Sequence, residues 1–251
     1  MLTRFFYILF ILVVQIVFYQ EVHIEIFGLN MYGLNLSYLI FLLGFVVIGV
    51  VNFKLLDLWE RIVLSYLMVI LLFESIRLSG VFNISQGLFN SVITIIYFSF
   101  NYYLFRAKLK NDKKRSKLLN LLSSAFFVFL LFSTVLGQVQ DKDAFPVMTI
   151  SLFFIYLISI SLLGLLSIID LPVKQPLYKN SFFLFLLPTL VMYSLHFWTI
   201  SLGHFINELK METIYKHRFL MLDLSRMIMV MCYGLMSFMF FKSRKNITSS
   251  S

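Results

Sequence analysis

Five side chains toward the C-terminal end are of types that could do chemistry: His196, His204, Glu208, Asp223 and Arg226. His204 and Glu208 are four residues apart and would share one face of a helix. With His217 and Asp223 they include the residue types of a metal site. However, the chain has no His-x-x-x-His or His-Glu-x-x-His spacing, and neither a metal nor a cofactor is expected. Asp223 and Arg226 are three residues apart, so they can pair within their own helix. That pair is either a ligand contact or proton site, or a structural ion pair. His196 lies beside Trp198 and reads as a hydrogen-bonded histidine of a helix bundle, with a catalyst as the alternative. Together the five form a candidate ligand-binding set. No catalytic residue is assigned, because the chain has no Asp-x-x-Asp pair, glycine-rich phosphate loop or Gly-x-Ser-x-Gly elbow.

These residues must be positioned by membrane-crossing helices. Of 251 residues, 60% are hydrophobic and 13% charged, far from the roughly one quarter charged residues of a soluble domain. Long apolar runs separated by short polar turns predict an all-α polytopic bundle of about eight spans, or seven if the first is cleaved as a signal. The spans are expected at Leu2–Tyr19, Ser37–Phe53, from after Arg61 to Ile76, Leu88–Phe105, Leu118–Gln138, from Pro146 to Asp170, Ser181–Ile206 and Phe219–Phe241. They form a single domain over 1–245, followed by a short tail over 246–251. Continuous apolar runs, rather than alternation, exclude a barrel. The net charge of +9 sits in short turns, which leaves no extramembrane surface able to grip nucleic acid.

Topology follows from the segment R-A-K-L-K-N-D-K-K-R-S-K, read as a loop. Its seven bases, Arg106, Lys108, Lys110, Lys113, Lys114, Arg115 and Lys117, face one acid, Asp112. Holding it inside places both termini in the cytoplasm and leaves Arg77, Lys142, Lys210, Lys216 and Arg218 outside. The segment is thus a topology anchor in the lipid bilayer, with anionic lipid an expected contact.

Polar residues on the spans fall into stripes that should turn away from lipid. They are Asn90, Thr94, Tyr97 and Asn101; Asp223, Arg226, Tyr233 and Ser237; and Tyr193, His196, Gly203, His204 and Asn207. Gly44 and Gly49 offer close-packing positions to neighbouring helices. Pro188 is expected to kink its span. Glu60 and Arg61 read as ordinary interface charges, Glu74 and Arg77 as a neutralised interface pair, and Cys232 as packing.

Glu74 ends an apolar span, and N-S-V-I-T-I-I-Y-F-S-F-N-Y-Y-L-F leads into the basic segment. L-Y-K-N-S-F-F-L-F-L-L-P-T-L-V-M-Y-S-L-H-F-W then precedes a last span ending M-V-M-C-Y-G-L-M-S-F-M-F-F-K. In these stretches the chain resembles a family of short bacterial membrane proteins of unassigned function. That family is similar in layout to the seven- or eight-span input modules that precede sensor histidine kinases. The resemblance covers roughly Leu58 to Lys245, but the acidic residue that it leads one to expect in the fourth span is missing. It implies a non-enzymatic protein of the bacterial inner membrane, a sensory input module acting through a separate cytoplasmic signalling partner. The alternatives are a membrane-embedded enzyme acting on a lipid-like substrate and, third, a small transporter. The sequence leaves the oligomeric state open.

Overall fold

A computed structural model describes residues 23–26, 29–79, 86–140, 147–170, 176–208 and 212–241, with side chains over shorter stretches within them. The first expected span, the turn holding Lys142 and Pro146, and the tail lie outside the described residues. The architecture is helical, as expected, with one short addition. Strands β1 (His23–Ile26) and β2 (Leu29–Tyr32) pair antiparallel, with His23 opposite Tyr32 and Ile26 opposite Leu29. The alternation H-I-E-I, between the first two expected spans, is the period-two pattern of a strand.

Seven α-helices follow among the described residues: α1 (Gly33–Val51), α2 (Leu58–Ser79), α3 (Gln86–Leu109), α4 (Lys113–Gln140), α5 (Val147–Ile169), α6 (Ser181–Glu208) and α7 (Glu212–Ser237). Lys113–Ser133, Thr149–Ile169 and Ser181–Thr199 are long and apolar enough to cross a membrane, and Ser37–Val51 and Ser225–Phe240 are shorter apolar helices. Large apolar side chains are exposed at helical spacing. Examples are Ile40, Leu43, Val47 and Val50 on α1, and Leu162, Leu166 and Ile169 on α5. Such stripes are at home in hydrocarbon and would be a liability in water. The helices are those of a membrane protein.

Two boundaries correct the sequence-based layout. The basic segment is not a loop: α3 continues to Leu109 and α4 begins at Lys113, which leaves a tight turn over 110–112. Lys, Arg, Leu and Ala all favour helix, so the helices persist through the charge until Asn111 and Asp112 break them. Helix α7 likewise begins at Glu212, so Lys216, His217 and Arg218 lie on a helix and not in a connecting loop.

The helices form two compact units. The first gathers α1, α2, residues 177–188 and the chain from Arg226 onward. Here α1 and α2 meet closely at Gly49, where a Cβ would stand 2.4 Å from Leu64 Cδ1. Gly44, by contrast, has nothing among the described residues within 4 Å of where its Cβ would stand, so among them Gly49 is the glycine at which two helices meet closely. Trp59 is buried and meets Phe182 and Phe185 edge-on, with centroids 5.6 and 5.5 Å away. Helix α6 runs unbroken through Pro188.

The second unit contains α3, α4 and α5 with residues 189–208 of α6 and 212–225 of α7. Its core is aromatic. Phe98 of α3 lies 5.3 Å from Tyr156 of α5, and Phe126 of α4 stacks on Tyr156 at 4.9 Å. Phe153 continues the chain from Phe126 at 5.7 Å to Phe154 at 6.0 Å, and Phe154 reaches Tyr193 of α6 at 6.0 Å. Offset and tilted aromatic pairs of this kind add about 0.5–1.5 kcal/mol each beyond their burial.

Candidate functional site

Of the five candidate ligand-binding residues, the structure describes the side chains of two. Helix α6 carries His204 and Glu208 in its last turns and α7 carries Asp223, but these three side chains lie outside the described residues, as does that of His217. Arg226 is half-buried and belongs to the first unit. His196 is half-buried and belongs to the second unit. No group of three or more His, Cys, Asp or Glu side chains comes together among the described residues.

His196 is held from two sides. Its Nδ1 lies 3.1 Å from the Met192 carbonyl, one turn back on α6, and its ring stands 5.4 Å from Phe154. The Oγ of Ser225, a buried α7 residue, lies 3.5 Å from the same Nδ1. With the proton on Nδ1, His196 donates to the Met192 carbonyl, and in that tautomer Nδ1 is not a base toward Ser225. Ser225 did not stand out from the sequence: at the helical repeat it falls off the stripe of Asp223, Arg226, Tyr233 and Ser237.

The other stripes point inward where their side chains are described. Thr94, Asn101, Tyr193, Tyr233 and Ser237 are buried, and Tyr97 is half-buried. Asn101 donates through Nδ2 to the Tyr97 carbonyl at 2.8 Å. The side chain of Asn90 lies outside the described residues.

The most developed polar constructions occupy positions where the sequence promised little. In the first unit, Glu60 is fully buried within the fold. Asp57 caps α2, accepting the Glu60 backbone N–H at 2.8 Å, while Glu60 Oε2 accepts the Asp57 N–H at 3.0 Å. This is a reciprocal capping box, with an acidic side chain at the positive end of the helix. Oε1 of Glu60 accepts the Ser181 hydroxyl at 2.6 Å, joining α2 to the start of α6. Asn180 caps that second helix end, its Oδ1 accepting from the N–H groups of Phe182 at 2.9 Å and Phe183 at 3.3 Å. Arg61 donates to the Leu56 carbonyl at 3.0 Å and lies over the Phe53 ring.

In the second unit, α4 is tied along its inner face. Arg115 binds Asp112 at 2.5 Å and also Asp170, which follows the end of α5. Asn120 accepts the Tyr102 hydroxyl of α3 at 3.0 Å. Farther along, Ser123 meets Tyr156 at 2.9 Å and Ser133 meets Thr149. Asp112 is held below its ordinary carboxylate value, first by the Arg115 backbone N–H at 3.0 Å and then by the Arg115 guanidinium, with desolvation opposing. The result is a ladder of α4–α5 polar contacts that ends at the basic turn.

Comparison with family models, with curated proteins and with solved structures finds no match to this chain, so its function has to be argued from its own geometry.

Proposed function

We propose that this protein is a non-enzymatic component of the bacterial cytoplasmic membrane, a sensory or signalling input module that acts through a separate cytoplasmic partner. In this proposal the chain spans the membrane about eight times with both termini inside, as its basic turn favours. The observation that carries the reading is the ladder between α4 and α5. Its polar contacts, Ser133–Thr149 and Ser123–Tyr156, lie inside the bundle, and its last rung, Arg115 with Asp112 and Asp170, lies at the basic turn. A ligand that favours one packing of α4 against α5 would therefore move the cytoplasmic turn as well, which is how a packing change becomes an output. The enzyme alternative has behind it, among the described residues, only the 3.5 Å approach of Ser225 Oγ to His196 Nδ1.

The test is affinity capture of the full chain from membranes after crosslinking, together with transcript profiling of a deletion strain. A regulatory or kinase partner and a changed transcriptional response are expected. Capture of no regulatory protein, with an unchanged response, would sink the proposal. His204→Ala and Asp223→Ala are expected to leave the cellular phenotype intact if their substrate role is absent. Loss of phenotype in a folded variant would favour the enzyme.

A further inference from the structure

The four bases at the start of α4, Lys113, Lys114, Arg115 and Lys117, are divided between two of its faces, and the division indicates what the exposed ones meet. Arg115 falls on the face that also holds Ser123, Phe126, Leu130 and Ser133, all four of them buried. Lys113, Lys114 and Lys117 are exposed on the opposite face. At the helical repeat they stand directly above Leu121, Val128, Phe132 and Val135, which are exposed apolar residues on the same face. This face belongs to Lys113–Ser133, one of the segments long and apolar enough to cross a membrane. Cations at the N-terminal end of such a face lean further toward that end, because helical side chains tilt toward the N-terminus. They therefore reach out of the hydrocarbon to headgroup depth while the stem of each lysine stays over apolar surface. Lys110, exposed in the adjoining turn, adds a fourth charge. The two acids near them, Asp112 and Asp170, are both bound to Arg115, which cancels one of their two charges and leaves the four lysines in excess.

We infer that Lys110, Lys113, Lys114 and Lys117 form a binding surface for the phosphates of anionic phospholipid, occupied by lipid lying along the exposed face of α4. Lysine suits this role as a mobile point charge that can follow a phosphate, whereas the planar fork of Arg115 is used on two carboxylates. The face that continues below the lysines selects a lipid over a soluble anion, since only a lipid offers acyl chains to cover Leu121, Val128 and Phe132. This inference is independent of the signalling proposal.

The experiment uses the full chain purified in mild detergent and supplied with mixed micelles of phosphatidylglycerol and phosphatidylcholine, with retained lipid read by native mass spectrometry. Phosphatidylglycerol should be retained in preference. The preference should fall by at least about fivefold when all four lysines become glutamine, in line with the attraction of near-surface cations to anionic headgroups. Lys113→Gln with Lys114→Gln should give a partial loss and serves if the fourfold variant does not fold. Arg115→Gln should leave most of the preference in place. Excess inorganic phosphate or an acidic peptide should not displace the lipid. Equal retention of the two lipids, an unchanged preference in the folded lysine variants, or displacement by either soluble anion would overturn the inference.

Discussion

The two units handle charge at their helix ends in opposite ways. In the first, the Glu60 carboxylate is buried completely, and both oxygens are engaged, by the Asp57 N–H and by the Ser181 hydroxyl. In the second, Arg115 and Asp112 are half-buried and join Asp170, whose side chain is 63% exposed. A buried carboxylate is tolerated only when its lone pairs are all directed at donors, and removing it leaves those donors stranded. An exposed ion pair competes with water and salt and contributes little to stability. Hence Glu60 is expected to matter more to folding than the conspicuous tie at Arg115.

Substitutions can break this contrast or sharpen it. Glu60→Ala is expected to cost the most, about 2–4 kcal/mol, through loss of the cap and stranding of the Ser181 hydroxyl and the Asp57 N–H. Thermal unfolding in detergent measures this, and a melting temperature equal to wild type would show that the carboxylate is not needed. Glu60→Gln, which keeps the capping shape but turns an N–H toward a donor, should fall between the two. Gly49→Ala comes next, at about 1–3 kcal/mol, because Leu64 must leave its present rotamer to admit the methyl. Gly44→Ala is the matched control and should be close to neutral, since nothing stands where its Cβ would go.

In the second unit, Ser123→Ala removes one rung of the α4–α5 ladder and should cost about 0.6 kcal/mol, the average for a polar contact between membrane helices, and at most about 1.7 kcal/mol. Arg115→Gln should have the smallest effect on melting at neutral pH. Its partner Asp112 sets the pH behaviour. A carboxylate whose folded value lies below its ordinary 3.8 stabilises the fold above that pH, and the contribution disappears as pH falls through the lower value. Wild type and Asp112→Asn should therefore differ at pH 5 to 7 and converge in stronger acid. Convergence already at pH 5 would place the tie elsewhere.

Hydropathy alone located most of the helices, because a membrane-crossing helix must carry a long apolar run in one continuous stretch. The inward polar stripes were also readable, since they depend on spacing within one helix. What could not be read was partnership between helices. Asp57 and Glu60 have the spacing of a capping box, yet the burial of Glu60 depends on Ser181, 121 residues away. Ser225 gains its interest from His196 in the same way, across 29 residues. The basic segment was read as a loop because charge suggests solvent, whereas lysine and arginine are good helix formers and three residues suffice for the turn. The five candidate ligand-binding residues shared a neighbourhood in the sequence, but of the two with described side chains, His196 and Arg226 fall in different units.

The placement of the two tryptophans has a spectroscopic consequence. Trp59 is 6% exposed and boxed in by Phe182 and Phe185 in the first unit, while Trp198 is 60% exposed on α6 in the second. Brominated acyl chains quench an indole that they can touch and spare one enclosed by protein. A single emission spectrum therefore has two separable channels, one reporting the packing of the first unit and the other the lipid around the second.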